Sequence, residues 1–239
     1  MTPPRERLGA ARLYVLATTS VAASSPANRP LVEAVEQALL GGATMVQLRE
    51  KTMPDAEMLV LARRLRALCD AHGALFVVND RIEVARDSGA DGVHLGQDDR
   101  SVAEARRVLG PPALVGFSTH DAAELRRALA DGADPVGVGS VFATSTKGRA
   151  VPVSGPAALA PVAAAAEAAG VPAFAIGGIT LANVADVAAA GFRRVAVSAG
   201  VLASESPRAA AAALLAALGL HSNVAASPST SFSRRSARM

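Results

Sequence analysis

The chain has 239 residues, 51% of them hydrophobic and only 3% aromatic, so we expect a core of aliphatic side chains. This length suits one α/β barrel, for which roughly 250 residues is typical, and no apolar run approaches the ~18 residues of a membrane-spanning helix. The net charge of +3 equals the three arginines of the C-terminal tail, so the body is formally neutral and lacks the basic character of a nucleic-acid-binding protein.

Short β-branched runs alternate with longer, amphipathic runs rich in Ala and Leu. They predict strands at Leu13–Ala17, Thr44–Leu48, Leu75–Asn79, Gly92–Leu95, Ala113–Phe117, Pro135–Gly139, Ala173–Ile176 and Arg194–Ser198. Helices are predicted near residues 31–40, 54–72, 81–88, 101–109, 120–131, 156–169, 181–190 and 206–219. Glycines follow most helical runs, where a left-handed residue commonly ends a helix. Consecutive strand–helix units imply parallel pairing, and eight of them favour a closed barrel over an open sheet. The sequence therefore predicts a single-domain α/β protein, a (β/α)₈ TIM barrel.

The ends of the chain differ from this repeating body. We expect a flexible N-terminus over residues 1–10, a catalytic barrel over 11–221 and a disordered, basic C-terminal tail over 222–239, because the tail is rich in Ser, Ala and Arg. The apolar stretch after Arg12 is too short for a secretory signal and is needed as the first strand. Cys69 is the only cysteine, which excludes an internal disulfide and agrees with a cytoplasmic location.

Cations follow the predicted strands at the rim where barrel enzymes place their active sites. All 24 basic residues are arginines except Lys51 and Lys147, and both lysines fall on this rim. Arg49 and Lys51 lie two residues apart and point the same way in an extended strand end. Lys147 follows the hydroxyl-rich segment that begins at Thr144. Cations beside hydroxyl donors are typical of a phosphate site, although either lysine could be a solvated loop charge.

Two acids close adjacent strands on the same rim. Asp80 follows the third strand beside Asn79, and Asp99 follows the fourth strand beside Gln97. Carboxylate and amide oxygens suit Mg²⁺, which takes its remaining ligands from substrate phosphates and water. The alternative is that these acids cap the helices that follow them, and the two roles are compatible.

Glycines on the other side of the rim indicate a second anion site. Gly177 and Gly178 follow the seventh strand, and Ser198–Gly200 follows the eighth, at the phosphate-binding place common in such barrels. Glycine lets a backbone approach a phosphate closely. His94 and His120 could act as acid–base groups or could be hydrogen-bonded wall residues.

Five motifs together resemble those of the thiamine-phosphate synthases. In chain order they are VQLREK (Val46–Lys51), VNDR (Val78–Arg81), GVHLGQDD (Gly92–Asp99), TSTK (Thr144–Lys147) and IGGIT (Ile176–Thr180). Each is weak alone, but their order and spacing agree from about Arg12 to Leu220. The resemblance implies a barrel enzyme that joins a pyrimidine methyl pyrophosphate to a thiazole or carboxythiazole phosphate with Mg²⁺.

The resemblance also implies roles for individual residues. Asp80 and Asp99 would hold Mg²⁺, and Arg49, Lys51 and Lys147 would stabilise the leaving pyrophosphate. The pyrimidine pyrophosphate would be held by Gln47, Leu48, Arg49, Glu50, Lys51, Asn79, Ser118 and Lys147, and the thiazole phosphate by Thr144, Ser145, Thr146, Gly178, Val197 and Ser198. We expect small-molecule substrates and neither nucleic acid nor membrane as partners, and the sequence leaves open whether the chain forms a homo-oligomer.

Three alternatives remain at this point. A related barrel isomerises a thiazole carboxylate phosphate, and His120 would suit that reaction as its acid–base group. It handles no leaving pyrophosphate, so the cations and paired acids argue against it. A non-catalytic sensor of a phosphate ligand could share the same fold, because fold alone does not prove turnover. Another phosphosugar barrel enzyme would not need paired acids beside the lysines.

Overall fold

A computed structural model of the protein describes residues 2–144 and 152–219. The strands of this part are β1 (Leu13–Ala17), β2 (Met45–Leu48), β3 (Leu75–Asn79), β4 (Gly92–Leu95), β5 (Leu114–Thr119), β6 (Val136–Val138), β7 (Ala173–Ile176) and β8 (Val195–Val197). Each strand pairs in parallel with its neighbours in sequence, and β8 pairs with β1, so the sheet closes. The predicted (β/α)₈ barrel is confirmed.

Helices surround the barrel and close one of its ends. They are α1 (Pro4–Ala10), α2 (Thr19–Ala23), α3 (Leu31–Leu40), α4 (Asp55–Ala71), α5 (Ile82–Ser88), α6 (Val102–Leu109), α7 (Ala122–Ala130), α8 (Pro156–Ala168), α9 (Val184–Ala189), α10 (Ala199–Leu202) and α11 (Pro207–Ala217). In the described part of the chain, no helix has the length and apolarity needed to cross a membrane.

Local sequence explains where several helices begin and end. Ser101 begins α6 with a capping box, in which its side chain accepts from the Glu104 N–H and the Glu104 carboxylate accepts from the Ser101 N–H. Asp121 begins α7 by accepting from two backbone N–H groups. Gly89 ends α5 with a φ of 70°, a left-handed conformation that glycine adopts without steric cost.

The strands bury side chains on both faces and so separate two apolar layers. Alternate residues, such as Val15 and Val46, face the surrounding helices. The intervening residues, such as Tyr14 and Met45, fill the barrel interior together with Leu8 of α1. Polar side chains therefore cluster at strand ends, and the carboxyl ends carry the site described below.

The structure adds elements that the sequence pattern did not predict. In place of a flexible N-terminus, residues 4–10 form α1, which buries Leu8 and ties Arg7 to Asp91 at 2.6 Å. Seven residues are too few to show helical periodicity, which explains the difference. Strand β5 runs two residues further than predicted and so includes Ser118. The tail expected over residues 222–239 lies outside the described residues.

Candidate active site

A cavity lies at the carboxyl ends of the strands and is lined by residues of all eight. Its floor is formed by buried ring and amide side chains inside the barrel. One wall, here called the charged wall, carries Arg49 after β2 in the cavity lining and has Lys51, Asp80 and Asp99 of the loops after β2, β3 and β4 next to it. The opposite wall, after β7 and β8, is built mainly from glycine and small residues. The cavity therefore offers two chemically different sides to a ligand.

The floor is a packed cluster of rings. The Tyr14 and Phe174 rings meet edge to face with centroids 5.4 Å apart. The His94 Nε2 lies 3.1 Å from the Ser118 hydroxyl, so these two residues form a polar pair at the side of the cavity. Gly116 makes room for the imidazole, because a Cβ atom there would lie 2.5 Å from the His94 Nδ1.

A second polar pair lies at the floor, between β1 and β2. The Gln47 Nε2 donates to the Tyr14 hydroxyl at 2.6 Å, and both side chains are buried. Burial raises the pKa of the Tyr14 phenol, so Tyr14 stays protonated and neutral near pH 7. The pair therefore presents hydrogen-bonding groups to the cavity without adding charge.

The charged wall brings together cations and acids that are distant in sequence. Arg49 is more than half buried, and burial lowers the pKa of its guanidinium while Asp80 partly offsets this effect. It nevertheless remains charged, because arginine keeps its proton in proteins. The Lys51 ammonium forms an ion pair with the Asp80 carboxylate. Asp80 has a left-handed φ of 60°, and its N–H donates to the His94 carbonyl at 2.9 Å.

Asp99 faces Asp80 and completes the acidic part of this wall. Burial raises the pKa of Asp99, and the neighbouring Asp80 carboxylate raises it further. A carboxylate whose charge is disfavoured by burial and by a neighbouring carboxylate gains from a divalent cation placed beside it. The described residues contain no group of three or more His, Cys, Asp or Glu side chains placed to hold a metal. The donor set therefore fits Mg²⁺, which accepts one or two carboxylates and completes its shell with phosphate oxygens and water.

The opposite wall exposes backbone to the cavity. Gly177 and Gly178 have φ values of 107° and 60°, which side chains rarely adopt. A Cβ atom at Gly178 would also lie 2.3 Å from the Ala143 carbonyl oxygen, so the wall has no room for a side chain there. The Ser198 hydroxyl donates to the Leu16 carbonyl at 2.8 Å and fixes the turn after β8. Close backbone of this kind suits a phosphate group.

The protein-family model described as thiamine monophosphate synthase matches residues 15–201, which include both walls of this cavity. The chain belongs to the thiamine monophosphate synthase family. The expected family resemblance is thus confirmed over most of the chain.

Individual relatives agree with this assignment. The chain is 48% identical over 203 residues to the thiamine-phosphate synthase of Gloeobacter violaceus, covering 85% of this chain and 56% of that protein. It is 46% identical over 209 residues to the thiamine-phosphate synthase of Thermosynechococcus vestitus, covering 87% and 56%. The chain thus spans about half the length of the curated relatives it matches.

Two solved structures share the barrel over nearly their whole length. The thiamine phosphate pyrophosphorylase from Pyrococcus furiosus is 34% identical with a TM-score of 0.76, covering 90% of this chain and 97% of that one. A 3-hexulose-6-phosphate synthase is 20% identical with a TM-score of 0.60, covering 87% and 99%. The second likeness shows the fold alone.

Most of the predicted site residues that the structure describes meet at the cavity. Those that line it are Gln47, Arg49, Asn79, Ser118, Thr144, Gly178, Val197 and Ser198. Lys51, Asp80 and Asp99 interact with one another on the charged wall. Ser145, Thr146 and Lys147 lie outside the described residues, so their roles stay predictions.

Two predicted substrate residues direct their side chains elsewhere. Leu48 is fully buried in the apolar layer between the strands and the helices. The Glu50 carboxylate accepts from the Thr19 N–H at 2.6 Å and joins the loops after β1 and β2. Neither side chain lines the cavity, so any contact of these residues with a substrate would be through their backbone.

The structure also shows residues to which the sequence pattern gave no role. Tyr14 and Phe174 form the cavity floor, although the only available signal was that Tyr14 is the single tyrosine of the chain. Arg81 forms an ion pair with Asp55 and donates to the Lys51 carbonyl at 3.2 Å. Arg81 therefore fixes the loop that carries Lys51.

His120 does not join this arrangement. Its Nδ1 lies 2.7 Å from the Glu124 carboxylate, which also accepts from the His120 N–H at 2.7 Å. His120 is not among the described residues that line the cavity. The structure therefore gives no specific support to His120 as the acid–base group of an isomerase.

Proposed function

We propose that this protein is a thiamine-phosphate synthase. It would condense 4-amino-2-methyl-5-(diphosphooxymethyl)pyrimidine with a thiazole or carboxythiazole phosphate, release pyrophosphate, and use Mg²⁺. The main support is that one cavity has Arg49 on one side, next to the interacting Lys51, Asp80 and Asp99, and glycine backbone on the other, which suits two different anions. The names of the relatives described above agree with this activity. The proposal includes a cytoplasmic location, where substrates carrying phosphate groups would be available.

The charged wall would act on the leaving group. When the bond between the pyrimidine methylene carbon and the pyrophosphate oxygen breaks, both bonding electrons leave with the oxygen. Arg49, Lys51 and Lys147 would stabilise the negative charge that develops there. Asp80 and Asp99 would hold Mg²⁺, which supplies further positive charge to the pyrophosphate when bound.

The rest of the cavity would position the second substrate. The methylene cation is stabilised by electron donation from the ring amino group. The thiazole nitrogen then forms the new C–N bond with its own lone pair, so the step needs no general base. Gly178, Val197, Ser198 and the loop over residues 144–146 would hold the thiazole phosphate. Catalysis would come mainly from positioning and electrostatic stabilisation.

The decisive experiment mixes the purified chain with both substrates and Mg²⁺ and measures thiamine phosphate by fluorescence after oxidation. We expect product that disappears when EDTA is added. Asp80→Ala and Lys147→Ala should each lower turnover by roughly a hundredfold or more, because the first removes a proposed Mg²⁺ ligand and the second removes a positive charge acting on the leaving group. Asp87→Ala is the matched control, since the Asp87 carboxylate pairs with the exposed Arg86 and Asp87 is not among the described residues that line the cavity.

Each outcome of this assay bears on the proposal. Product formation that depends on Mg²⁺, Asp80 and Lys147, with the Asp87 control unaffected, would establish the synthase. A folded protein that binds thiazole phosphate but forms no product would overturn it and favour an isomerase or a ligand sensor. Equal loss of turnover in all three variants would also count against the assigned roles.

A further inference from the structure

The glycine backbone that lines the cavity after β7 is held from two sides through its carbonyl groups. The Gly177 carbonyl accepts from the Phe142 N–H at 3.1 Å. The Gly178 carbonyl accepts from the Asn183 Nδ2 at 2.9 Å. Within residues 2–144 and 152–219, the N–H groups of these two glycines donate to no acceptor of the protein. The carbonyl oxygens of this wall are therefore engaged, and its N–H groups are available to a ligand.

The partners of the Asn183 carboxamide allow it only one orientation. Its Oδ1 accepts from the Thr180 N–H at 2.8 Å, while its Nδ2 donates to the Gly178 carbonyl. A backbone N–H can only donate and a carbonyl oxygen can only accept, so exchanging the amide oxygen and nitrogen would break both hydrogen bonds. Asn183 is not among the described residues that line the cavity. Any effect of this side chain on a ligand would therefore pass through the glycine backbone.

The Asn183 side chain does not cap the helix that follows it. Asn183 directly precedes α9, a place where asparagine commonly accepts from an N–H of the first helical turn, but its side chain makes no such bond. The bond from the Thr180 N–H closes the turn that leads into the helix. The bond to the Gly178 carbonyl instead reaches five residues back, into the cavity wall. This second bond acts on the wall and not on the helix.

Glycine gives this bond its importance. Gly178 has a φ of 60°, and without a side chain its backbone can change conformation at little steric cost. A rotated peptide would direct the Gly178 carbonyl oxygen away from Asn183 and toward the cavity. A phosphate there would then face the partial negative charge of a carbonyl, whereas backbone N–H groups bind phosphate favourably.

We propose that Asn183 is a positioning residue that keeps the Gly178 carbonyl turned away from the cavity, so that this wall meets the thiazole phosphate with N–H groups. This inference rests on the proposed function, because that function supplies the thiazole phosphate. Asn183 contributes no charge and no reacting group. It fixes the backbone that holds one of the two substrates, and so it affects the binding of that substrate alone.

The test compares wild-type protein with Asn183→Ala, which removes both side-chain hydrogen bonds. Calorimetric titration with Mg²⁺ present measures the affinity for thiazole phosphate and, in separate samples, for the pyrimidine methyl pyrophosphate. We expect thiazole phosphate to bind about three- to tenfold more weakly to the variant, the effect of one lost hydrogen bond. Affinity for the pyrimidine pyrophosphate should be unchanged. In the synthase assay, the KM for thiazole phosphate should rise while the KM for the pyrimidine pyrophosphate stays the same.

A second variant separates the two hydrogen bonds of Asn183. In Asn183→Asp, the carboxylate keeps an oxygen that accepts from the Thr180 N–H but has no hydrogen to donate to the Gly178 carbonyl. We expect this variant to lose affinity for thiazole phosphate as Asn183→Ala does. The loss should persist in about 1 M salt, where repulsion between the new charge and the phosphate is screened beyond roughly 3 Å.

A matched control separates positioning from a general loss of stability. Ser206→Ala removes a side chain that accepts from the Ala209 N–H at 3.3 Å at the start of α11. Ser206 is not among the described residues that line the cavity. This variant should bind both substrates with wild-type affinity.

The outcomes distinguish this inference from the proposed function. If wild-type protein forms thiamine phosphate and Asn183→Asp binds thiazole phosphate as tightly as wild type in high salt, the positioning role is wrong while the synthase stands. Equal weakening of both substrates in Asn183→Ala would likewise overturn the positioning role, because the charged wall does not depend on this bond. Selective loss of thiazole phosphate affinity in a protein that forms no thiamine phosphate would support the positioning role and overturn the synthase. Wild-type protein that binds no thiazole phosphate would overturn both.

Discussion

At the cavity floor, the His94 ring lies next to one glycine on each of two neighbouring strands, Gly116 of β5 and Gly137 of β6. A Cβ atom at Gly116 of β5 would lie 2.5 Å from the His94 Nδ1 and 3.2 Å from its Cγ. A Cβ atom at Gly137 of β6 would lie 3.6 Å from the Cε1 of the same ring, which is ordinary van der Waals contact. The position of the imidazole, and hence its contact with Ser118, therefore depends on the glycine of β5.

We predict that Gly116→Ala displaces His94 and destabilises the protein by about 1–3 kcal/mol, the usual cost of forcing an extra group into a packed interior. Urea unfolding followed by circular dichroism measures this change. Turnover in the synthase assay should also fall, because Ser118 loses its imidazole partner. Placing Gly116→Ala in a His94→Ala background should restore most of the lost stability, since the clashing ring is absent.

Gly137→Ala provides the matched comparison for stability. It adds the same methyl group beside the same ring, but at a distance that requires no displacement. Its free energy of unfolding should stay close to the wild-type value. If the two alanine variants lost equal stability, the steric argument for Gly116 would fail.

The sequence could predict a contact within the site only where neighbouring strands alone bring the two residues together. Asp80 and Asp99 close adjacent strands, so their proximity follows from parallel pairing alone, and the structure has them interacting. The contact of Tyr14 with Gln47 depends on which face of each strand points inward. Strands buried on both faces are apolar throughout and do not reveal that face in their pattern. The sequence therefore could not predict the floor of the cavity.

At the level of elements, two aspartates that lie just before strands connect strands to helices at the lower end of the barrel. Asp91 precedes β4 and accepts from the Phe76 N–H at 2.8 Å and from Arg66 at 2.6 Å. Asp134 precedes β6 and accepts from the Val115 N–H at 2.7 Å and from Arg106 at 2.6 Å. Each acid thus joins a strand to its neighbour and to a surrounding helix.

This arrangement gives a physical reason for two of the glycines that follow helical runs in the sequence. Gly89-Ala-Asp91 and Gly132-Ala-Asp134 both follow a helix, and both glycines have a positive φ. The glycine ends the helix, as predicted from the sequence, and the aspartate then pairs with the backbone of the preceding strand. The sequence shows both Gly-Ala-Asp segments but not the partners of the acids, because Arg66 reaches Asp91 and Arg106 reaches Asp134 only in the folded barrel.

We predict that Asp91→Ala lowers the free energy of unfolding by roughly 3 kcal/mol, a value typical of removing one partner of a buried ion pair. Both Arg66 and Arg7 lose a carboxylate in this variant, and their side chains are 11% and 16% exposed. The measurement is urea unfolding at neutral pH. Asp87→Ala removes a carboxylate whose pair with Arg86 is exposed, so it should leave the unfolding midpoint unchanged.

For the molecule as a whole, closure of the barrel makes every strand depend on both of its neighbours. Strand β1 pairs with β2 on one side and with β8, about 180 residues later in the chain, on the other. Leu8 of α1 joins the interior layer, so the first helix belongs to the same packed unit. We therefore expect cooperative unfolding, in which buried groups of the outer layer become accessible only when the barrel opens.

Cys69 reports on this opening because it is the only cysteine and is fully buried on α4. Burial raises the pKa of its thiol to about 12, so in the folded protein the reactive thiolate stays scarce between pH 7 and 9. In the unfolded chain the pKa returns to about 8.5, and labelling should then rise about tenfold per pH unit below that value. The unfolded state also binds fewer protons than the folded state above this pH, so the Cys69 contribution to stability falls as pH rises.

We predict that a thiol reagent labels Cys69 in the folded protein only at the rate at which the barrel opens, and that urea at concentrations below the unfolding transition accelerates labelling. Labelling of native protein as fast as that of urea-unfolded protein would show that α4 opens independently of the barrel.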